Sequence, residues 1–297
     1  MRAVDIRRLV LLAAIWGASF IFFRIIAPVL GAIWTAELRT LIAGVALFGF
    51  ALISNAKLEI RERWKWYFVV GILNSGIPFA LIAFAELHLS ASLAAILNAT
   101  SPLWSALIGA VFFREAFNTK KGIGLILGIA GVIVLVGWSP LEPSLETILS
   151  VAAMLAATLC YGIAANLAKR NLKGAPALGS SVGSQFASSL ALLVFMPFDL
   201  PRASPNLTVV LSLLALAVLC TAVAYILYFR LISDLGATKA LTVTFLVPIF
   251  GTLWSMIFLH EPLGLEKILA CAIILAGASL VTGLNTKDLG FGKARVA

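Results

Sequence analysis

The chain of 297 residues is 62% hydrophobic and only 12% charged, and its mean hydropathy is +1.07. These values exclude a water-soluble globular protein, which has no place for so much apolar surface. The net charge of +9 comes from Lys and Arg residues divided among short segments, whereas nucleic-acid binding needs them clustered beside exposed aromatic or polar side chains. We therefore expect a protein surrounded by membrane lipid, with no nucleic-acid partner.

Ten apolar runs long enough to cross a bilayer follow one another along the chain. A hydrocarbon core of about 30 Å needs about 20 residues of helix, and the alternating pattern of a transmembrane β-barrel does not occur. The sequence therefore predicts an all-α integral membrane protein with ten transmembrane helices. The predicted spans are 9–28, 33–53, 67–87, 93–113, 122–139, 147–168, 176–198, 207–229, 239–259 and 266–284.

The basic residues predict the orientation of these spans. Ten spans place both termini on one side of the membrane, and eighteen of the 22 Lys and Arg residues fall in the tails and loops of that side. Because cytoplasmic loops carry the excess of Lys and Arg, we expect cytoplasmic N- and C-termini.

Two segments that lie 146 residues apart have the same pattern. Residues 101–115 read SPLWSALIGAVFFRE and residues 247–261 read VPIFGTLWSMIFLHE, so each has a proline, an apolar run and a glutamate. Such internal similarity predicts two copies of one five-span unit. The first copy is residues 1–140, and the second is residues 141–297, including a short cytoplasmic tail.

A unit with an odd number of spans ends on the opposite side of the membrane, so the second copy is predicted to be inverted. Residues 15–24 likewise match residues 160–170, which places Gly17 over Gly162. Inverted repeats with Pro- or Gly-interrupted helices are typical of secondary transporters, whose halves exchange conformations around a central site. A channel or receptor, which needs no such exchange, is the alternative.

Prolines lie near the middle of three predicted spans. Proline has no amide hydrogen and leaves the carbonyl four residues earlier without its usual donor. At that depth an unsatisfied carbonyl is costly, which favours a hydrated or substrate-filled cavity beside it. The candidate kink and gating residues are Pro78, Pro102 and Pro248, and the freed carbonyls belong to Asn74, Asn98 and Thr244.

Polar side chains mark the middle of spans 2 and 7. Gln185 belongs to a stripe rich in serine, and the repeat places it over Arg39. Because a charge facing lipid would cost a few kcal/mol, we expect Arg39 to face inward, to pair or to reach the interface. It either attracts a substrate carboxylate or forms a structural pair, for which Glu37 and Glu86 are candidates; these two are also candidate proton carriers.

Aromatic residues within the spans suit an apolar or aromatic substrate, or a cation, although packing alone would also explain each one. Together with the polar residues above they complete the candidate substrate-binding set: Trp16, Arg39, Asn74, Phe79, Asn98, Trp104, Tyr161, Gln185, Tyr225 and Thr244. The repeated Glu115 and Glu261 lie at span ends and are predicted to be structural, paired with a base such as Arg114 or Lys120 for Glu115.

The sequence contains no HExxH motif and no Walker loop. The two histidines, His88 and His260, lie far apart, and the three cysteines are single and widely spaced. We therefore expect no enzyme activity, catalytic residue, metal site or cofactor.

The paired Pro-to-Glu helices, Trp16-Gly17 in span 1, Arg39 in span 2 and the ten-span duplication together resemble the EamA branch of the drug/metabolite transporter superfamily. The resemblance covers residues 9–284 and is greatest to bacterial exporters of aromatic and other neutral amino acids. It implies two inverted five-helix repeats around a central cavity, in the inner membrane of a bacterium, and a small amphipathic metabolite as substrate.

Two other transport functions remain as alternatives to amino acid export. One is a proton-coupled multidrug or cation exporter, although span 1 has no acidic residue. The other is a sugar-phosphate or nucleotide-sugar exchanger, which should direct several Lys or Arg residues into the cavity. The resemblance leaves proton coupling, direction of transport and oligomeric state open.

Overall fold

The computed structural model describes residues 3–138, 144–235 and 240–283, and every regular element in them is a helix. The predicted boundary between residues 140 and 141 and the predicted tail after residue 284 lie outside these ranges. Eight helices are long and apolar enough to cross a membrane: Val4–Leu30, Ala32–Ile53, Ile60–Ala85, Ala91–Phe113, Thr119–Trp138, Leu145–Asn171, Leu207–Leu235 and Leu265–Thr282.

Two further helices are shorter than these eight. Val243–Phe258 is apolar, with 16 residues, and Ala177–Leu193 has 17 residues and is rich in serine. They occupy the predicted ninth and seventh spans. The chain is therefore an all-α protein with several membrane-spanning helices.

The α-helices are numbered in chain order. They are α1 (Ala3–Leu30), α2 (Ala32–Ile53), α3 (Ile60–Gly71), α4 (Ile77–Ala85), α5 (Ala91–Asn98), α6 (Ser101–Phe113), α7 (Thr119–Trp138), α8 (Leu145–Asn171), α9 (Ala177–Leu193), α10 (Leu207–Leu214), α11 (Ala224–Leu235), α12 (Val243–Phe258) and α13 (Leu265–Thr282).

Three of the long helices are interrupted within the bundle. Between α3 and α4 lies a π-helical stretch, Ile72–Gly76, just before Pro78, and a second one, Ala215–Val223, joins α10 to α11. The helix that contains Pro102 breaks between α5 and α6, because proline fits the first turn of a new helix and not the interior of an old one. Such interruptions turn backbone and polar side chains out of the regular helical register.

Close helix contacts occur at glycines that correspond in the two halves. Helix α1 packs on α12, and α8 packs on α6. A Cβ added to Gly17 would lie 2.7 Å from the backbone nitrogen of Gly251, and one added to Gly162 would lie 2.8 Å from that of Ser105. The backbones therefore meet at distances that only glycine allows at these positions.

The two Pro-to-Glu helices also end in the same way. Arg114 after α6 and His260 after α12 are both left-handed, with φ of 56° and 53°. The next backbone N–H in each case, of Glu115 or Glu261, donates to the carbonyl six residues earlier. This pattern satisfies carbonyls that would otherwise be orphaned at a helix C-terminus.

Interhelical contacts distinguish the two ends of the bundle. At the near end, where α1 begins, Arg8 forms an ion pair with Asp234 at 2.7 Å. At the far end, where α1 finishes, the Asp199 carboxylate accepts a bond of 2.7 Å from the Ile33 backbone N–H. The near end is the one predicted to be cytoplasmic.

Candidate substrate cavity

A cavity of about 670 Å³ lies between the helices of the two halves. Its volume falls within the range of sites that bind small molecules. Eight of the ten candidate binding residues line it: Trp16, Arg39, Asn74, Phe79, Asn98, Tyr161, Tyr225 and Thr244. The fold thus brings residues that are remote in sequence to the same cavity.

Trp104 and Gln185 are the two candidates that do not line the cavity. Trp104 precedes the cavity-lining Ser105, and its Cβ packs against Gly162, where an added Cβ would lie 2.9 Å from it. Gln185 is fully buried, and its Nε2 donates to the Ser75 hydroxyl at 3.2 Å. The serine stripe of α9 faces a neighbouring helix and not the cavity: the Ser188 hydroxyl donates a hydrogen bond to the Gly71 carbonyl.

Four aromatic residues of the lining were missed in the sequence: Phe20, Phe23, Tyr228 and Phe245. Tyr228 packs against Trp16 with the rings tilted by 53° and their centroids 5.2 Å apart, and Phe23 also faces the cavity. Helical spacing could have identified both, since Tyr228 lies three residues after Tyr225 and Phe23 lies seven after Trp16.

Arg39 is the only buried residue among the charged side chains that line the cavity in the described ranges; it is 5% exposed. Its Nε donates to the Thr221 hydroxyl at 3.0 Å. Its Cζ lies 3.6 Å from the ring centroid of Phe79 and 4.9 Å from that of Phe23, within cation–π distance of both. The aromatic faces fix the guanidinium at the cavity wall.

The two predicted partners of Arg39 do not pair with it. The Glu37 carboxylate accepts a bond of 2.7 Å from the Ser189 hydroxyl, and its other oxygen has no partner in the described part of the chain. Glu86 is fully buried with neither carboxyl oxygen bonded there. A structural ion pair of Arg39 with either carboxylate is therefore not formed.

Asn98 presents an unused amide to the cavity. Its side-chain oxygen is buried and finds no hydrogen-bond partner in the described ranges. Its backbone carbonyl, predicted to be freed by Pro102, instead accepts the Ser101 hydroxyl at 2.7 Å. The side chain, and not the carbonyl, is thus the available group.

The cavity reaches the surface at the near end. There Lys169, whose side chain is 71% exposed, forms an ion pair with Glu115, and Lys121 donates to the Ala116 carbonyl at 2.8 Å. All three charged residues line the cavity mouth. The predicted pairing of Glu115 with Arg114 or Lys120 is wrong, because α8 brings Lys169 to it from the other half.

The far end is closed by a set of direct hydrogen bonds. Arg24 donates to the carbonyls of Glu86 and Leu87. The carboxylate of Glu261 accepts bonds from the backbone N–H of Ala91 at 2.8 Å, the N–H of Ser92 at 3.1 Å and the Ser92 hydroxyl at 2.5 Å. Glu261 thereby caps the N-terminus of α5, where a negative charge is favoured.

In the described ranges no group of three His, Cys, Asp or Glu side chains could hold a metal ion. Away from the charged mouth, the polar side chains of the cavity are mainly a guanidinium, amides and hydroxyls set among aromatic rings. Such a surface can orient an amphipathic molecule without forming a covalent bond to it.

Comparisons with known proteins agree with this architecture. The chain is similar to the "Uncharacterized transporter YvbV" of Bacillus subtilis, with 27% identity covering 94% of this chain and 91% of that protein. An "Uncharacterized transporter" of Archaeoglobus fulgidus is 23% identical, over 92% and 96% of the two chains. One crystal structure shares the fold, with a TM-score of 0.68 at 19% identity and coverage of 97% and 99%.

The EamA-like transporter family matches the chain in two segments, residues 8–137 and 148–283. Together these segments cover nearly all of the described helices. The chain is a multi-pass membrane protein and belongs to the EamA-like transporter family.

Proposed function

We propose that this protein is a secondary transporter that exports aromatic or other neutral amino acids, or related small metabolites, across the bacterial inner membrane by alternating access. In this proposal two inverted five-helix repeats surround the cavity, and both termini are cytoplasmic. The observation that carries it is a substrate-sized cavity that is open at the near end and closed at the far end.

Alternating access requires each end to close in turn while the other opens. The far end is held by Glu261 on α5, whereas Glu115, its counterpart 146 residues earlier, pairs with an exposed lysine at the open mouth. Their helices end in the same left-handed turn. Two local structures that match in conformation but differ in partners support a bundle whose halves can exchange roles.

The chemistry of the lining favours amino acids over the alternative substrates. A sugar phosphate or nucleotide sugar needs several cationic groups for its phosphates, and Arg39 is the one buried cation of the described lining. A cationic drug needs an acidic partner, and the acidic residue of the described lining is Glu115, which is already paired at the mouth. Aromatic walls with one cation and free amides suit a zwitterion that has an apolar side chain.

Proteoliposomes preloaded with one unlabelled compound test the substrate class. Tryptophan, phenylalanine, threonine, UDP-glucose and a quaternary ammonium drug are compared, with and without a pH gradient, by uptake of the labelled compound. We expect saturable exchange of amino acids without the gradient. Exchange confined to the drug, or dependent on the gradient, would contradict the proposal and favour a proton-coupled exporter. Non-saturable flux would favour a channel.

A further inference from the structure

Arg39 and Gln185 occupy corresponding positions in the two halves and form corresponding hydrogen bonds. The Arg39 Nε donates to the Thr221 hydroxyl at 3.0 Å, and the Gln185 Nε2 donates to the Ser75 hydroxyl at 3.2 Å. The two donor residues lie 146 positions apart in the sequence, and so do the two acceptor residues. Each hydroxyl belongs to one of the two π-helical stretches, which are frequent at functional sites.

The guanidinium of Arg39 extends beyond the bond that the two positions share. Nε of arginine and Nε2 of glutamine are separated from Cα by the same number of bonds, so arginine adds only Cζ and its two Nη groups. Because Gln185 forms its bond without a charge, a structural contact at this position does not require a cation. The additional group is the part of Arg39 that can act on a ligand.

No carboxylate in the described ranges lies within ion-pair distance of this guanidinium, and Nε makes its only hydrogen bond there. The rings of Phe79 and Phe23 cover it, and the side chain is 5% exposed. A buried cation without an anion is costly even with aromatic contacts. The site therefore has a cation in place and lacks an anion within ion-pair distance of it.

We propose that Arg39 binds the carboxylate of the transported substrate, so that the cavity selects amphipathic carboxylates, including zwitterionic amino acids, over amines. A planar guanidinium matches a carboxylate by two parallel hydrogen bonds. A phosphate dianion would need further cations, which the described cavity wall has only at its exposed mouth. This proposal rests on the proposed function only in taking the same cavity as the transport site.

The rest of the lining fits the remaining parts of such a substrate. The buried amide oxygen of Asn98 can accept a bond from an ammonium group, in the amide orientation that the structure has. The tilted pair of Trp16 and Tyr228 offers an aromatic wall for an apolar side chain. A ligand with a carboxylate, a hydrogen-bond donor and an apolar body can contact Arg39, Asn98 and the aromatic wall together.

Equilibrium binding to the purified full-length protein in lipid nanodiscs tests the proposal. Labelled phenylalanine is displaced by 3-phenylpropionate, which has a carboxylate and no ammonium, or by phenethylamine, which has an ammonium and no carboxylate. Arg39→Gln is the informative variant, because glutamine can retain the Thr221 bond as Gln185 retains that of Ser75. Lys120→Gln is the matched control, since it removes an exposed cation of the near end that lies outside the cavity lining.

We expect 3-phenylpropionate to compete at least about tenfold better than phenethylamine with the wild-type protein. Arg39→Gln should weaken phenylalanine and 3-phenylpropionate by about 10- to 100-fold, the loss of hydrogen bonds to a charged group. It should not weaken phenethylamine, because it removes a positive charge from the cavity. Lys120→Gln should change each affinity by less than about threefold, as expected for an exposed charge outside the cavity.

The proposal is overturned if phenethylamine competes as well as 3-phenylpropionate, if wild-type protein binds no phenylalanine, or if folded Arg39→Gln protein binds phenylalanine with wild-type affinity. Should that variant not fold, the wild-type competition alone decides. If the protein binds carboxylates selectively but shows no exchange in proteoliposomes, the result would support the role of Arg39 in binding and contradict the proposed transport. The two proposals can thus fail separately.

Discussion

Replacing Glu261 by glutamine should weaken the closure of the far end. Its carboxylate accepts three hydrogen bonds from the first residues of α5, two from backbone N–H groups and one from the Ser92 hydroxyl. Glutamine keeps one acceptor oxygen and loses the charge at the helix N-terminus. Taking about 1.5–3 kcal/mol for a bond to a charged group and about 0.3–1 kcal/mol for the helix dipole, the loss is about 2–4 kcal/mol.

That loss acts only on the state with the far end closed, so it shifts the equilibrium toward opening by about 30- to 1,000-fold. Glu115→Gln is the matched control, because its partner Lys169 is 71% exposed and such a pair contributes about 1 kcal/mol or less. It occupies the corresponding position of the first half and touches the open mouth only.

Thiol labelling at Ala85, which is fully buried at the far end of α4, measures the shift. Ala85→Cys is introduced after the three native cysteines are replaced by alanine, and its reaction with a membrane-impermeant maleimide is timed. Glu261→Gln should accelerate labelling strongly, and Glu115→Gln should not. Equal labelling rates in the two variants would refute the assignment of Glu261 to the closure of the far end.

Four further substitutions, one of them a control, test packing and the cavity. Gly162→Ala should lower the Tm, because a Cβ there would lie 2.8 Å from the Ser105 nitrogen, whereas Gly49→Ala, with no atom within 4 Å of its added Cβ, should not; thermal unfolding in detergent compares them. Asn98→Ala should raise the KM of amino acid exchange by about tenfold with unchanged Tm, since its side chain has no hydrogen bond to lose in the described ranges. An unchanged KM would remove Asn98 from the site. Glu86→Gln should leave the Tm unchanged or raise it, because a buried carboxyl that accepts no hydrogen bond in the described ranges is costly to keep charged; a drop of several degrees would show that its carboxylate stabilises the fold.

Hydropathy and the repeat predicted most of the helices and much of the cavity wall. Apolar runs identify helices because a bilayer demands about 20 residues with their backbone bonds satisfied internally. The register of 146 residues also related Arg39 to Gln185 before any contact was known. Both signals, the apolar runs and the repeat, can be detected in a single sequence without knowledge of three-dimensional contacts.

Features that depend on three-dimensional contacts were not predictable in this way. The ion pair of Glu115 joins α8 to the end of α6, so a search among sequence neighbours found Arg114 and Lys120 instead. The π-helical stretches carry no clear sequence signal. Gln185 fell outside the cavity lining because its side chain ends at Ser75, one group short of the position that the Arg39 guanidinium reaches. The sequence thus placed Gln185 at the position that corresponds to Arg39, but the shorter glutamine side chain does not extend to the cavity.

Trans-stimulation of phenylalanine uptake is the most direct test of the central claim that the cavity serves a transporter with alternating access. Labelled uptake is measured in proteoliposomes that are either empty or preloaded with unlabelled phenylalanine. We expect saturable uptake that is several-fold faster into preloaded vesicles, because a loaded carrier returns through the same cavity. Uptake that is independent of preloading and rises linearly with concentration would contradict it.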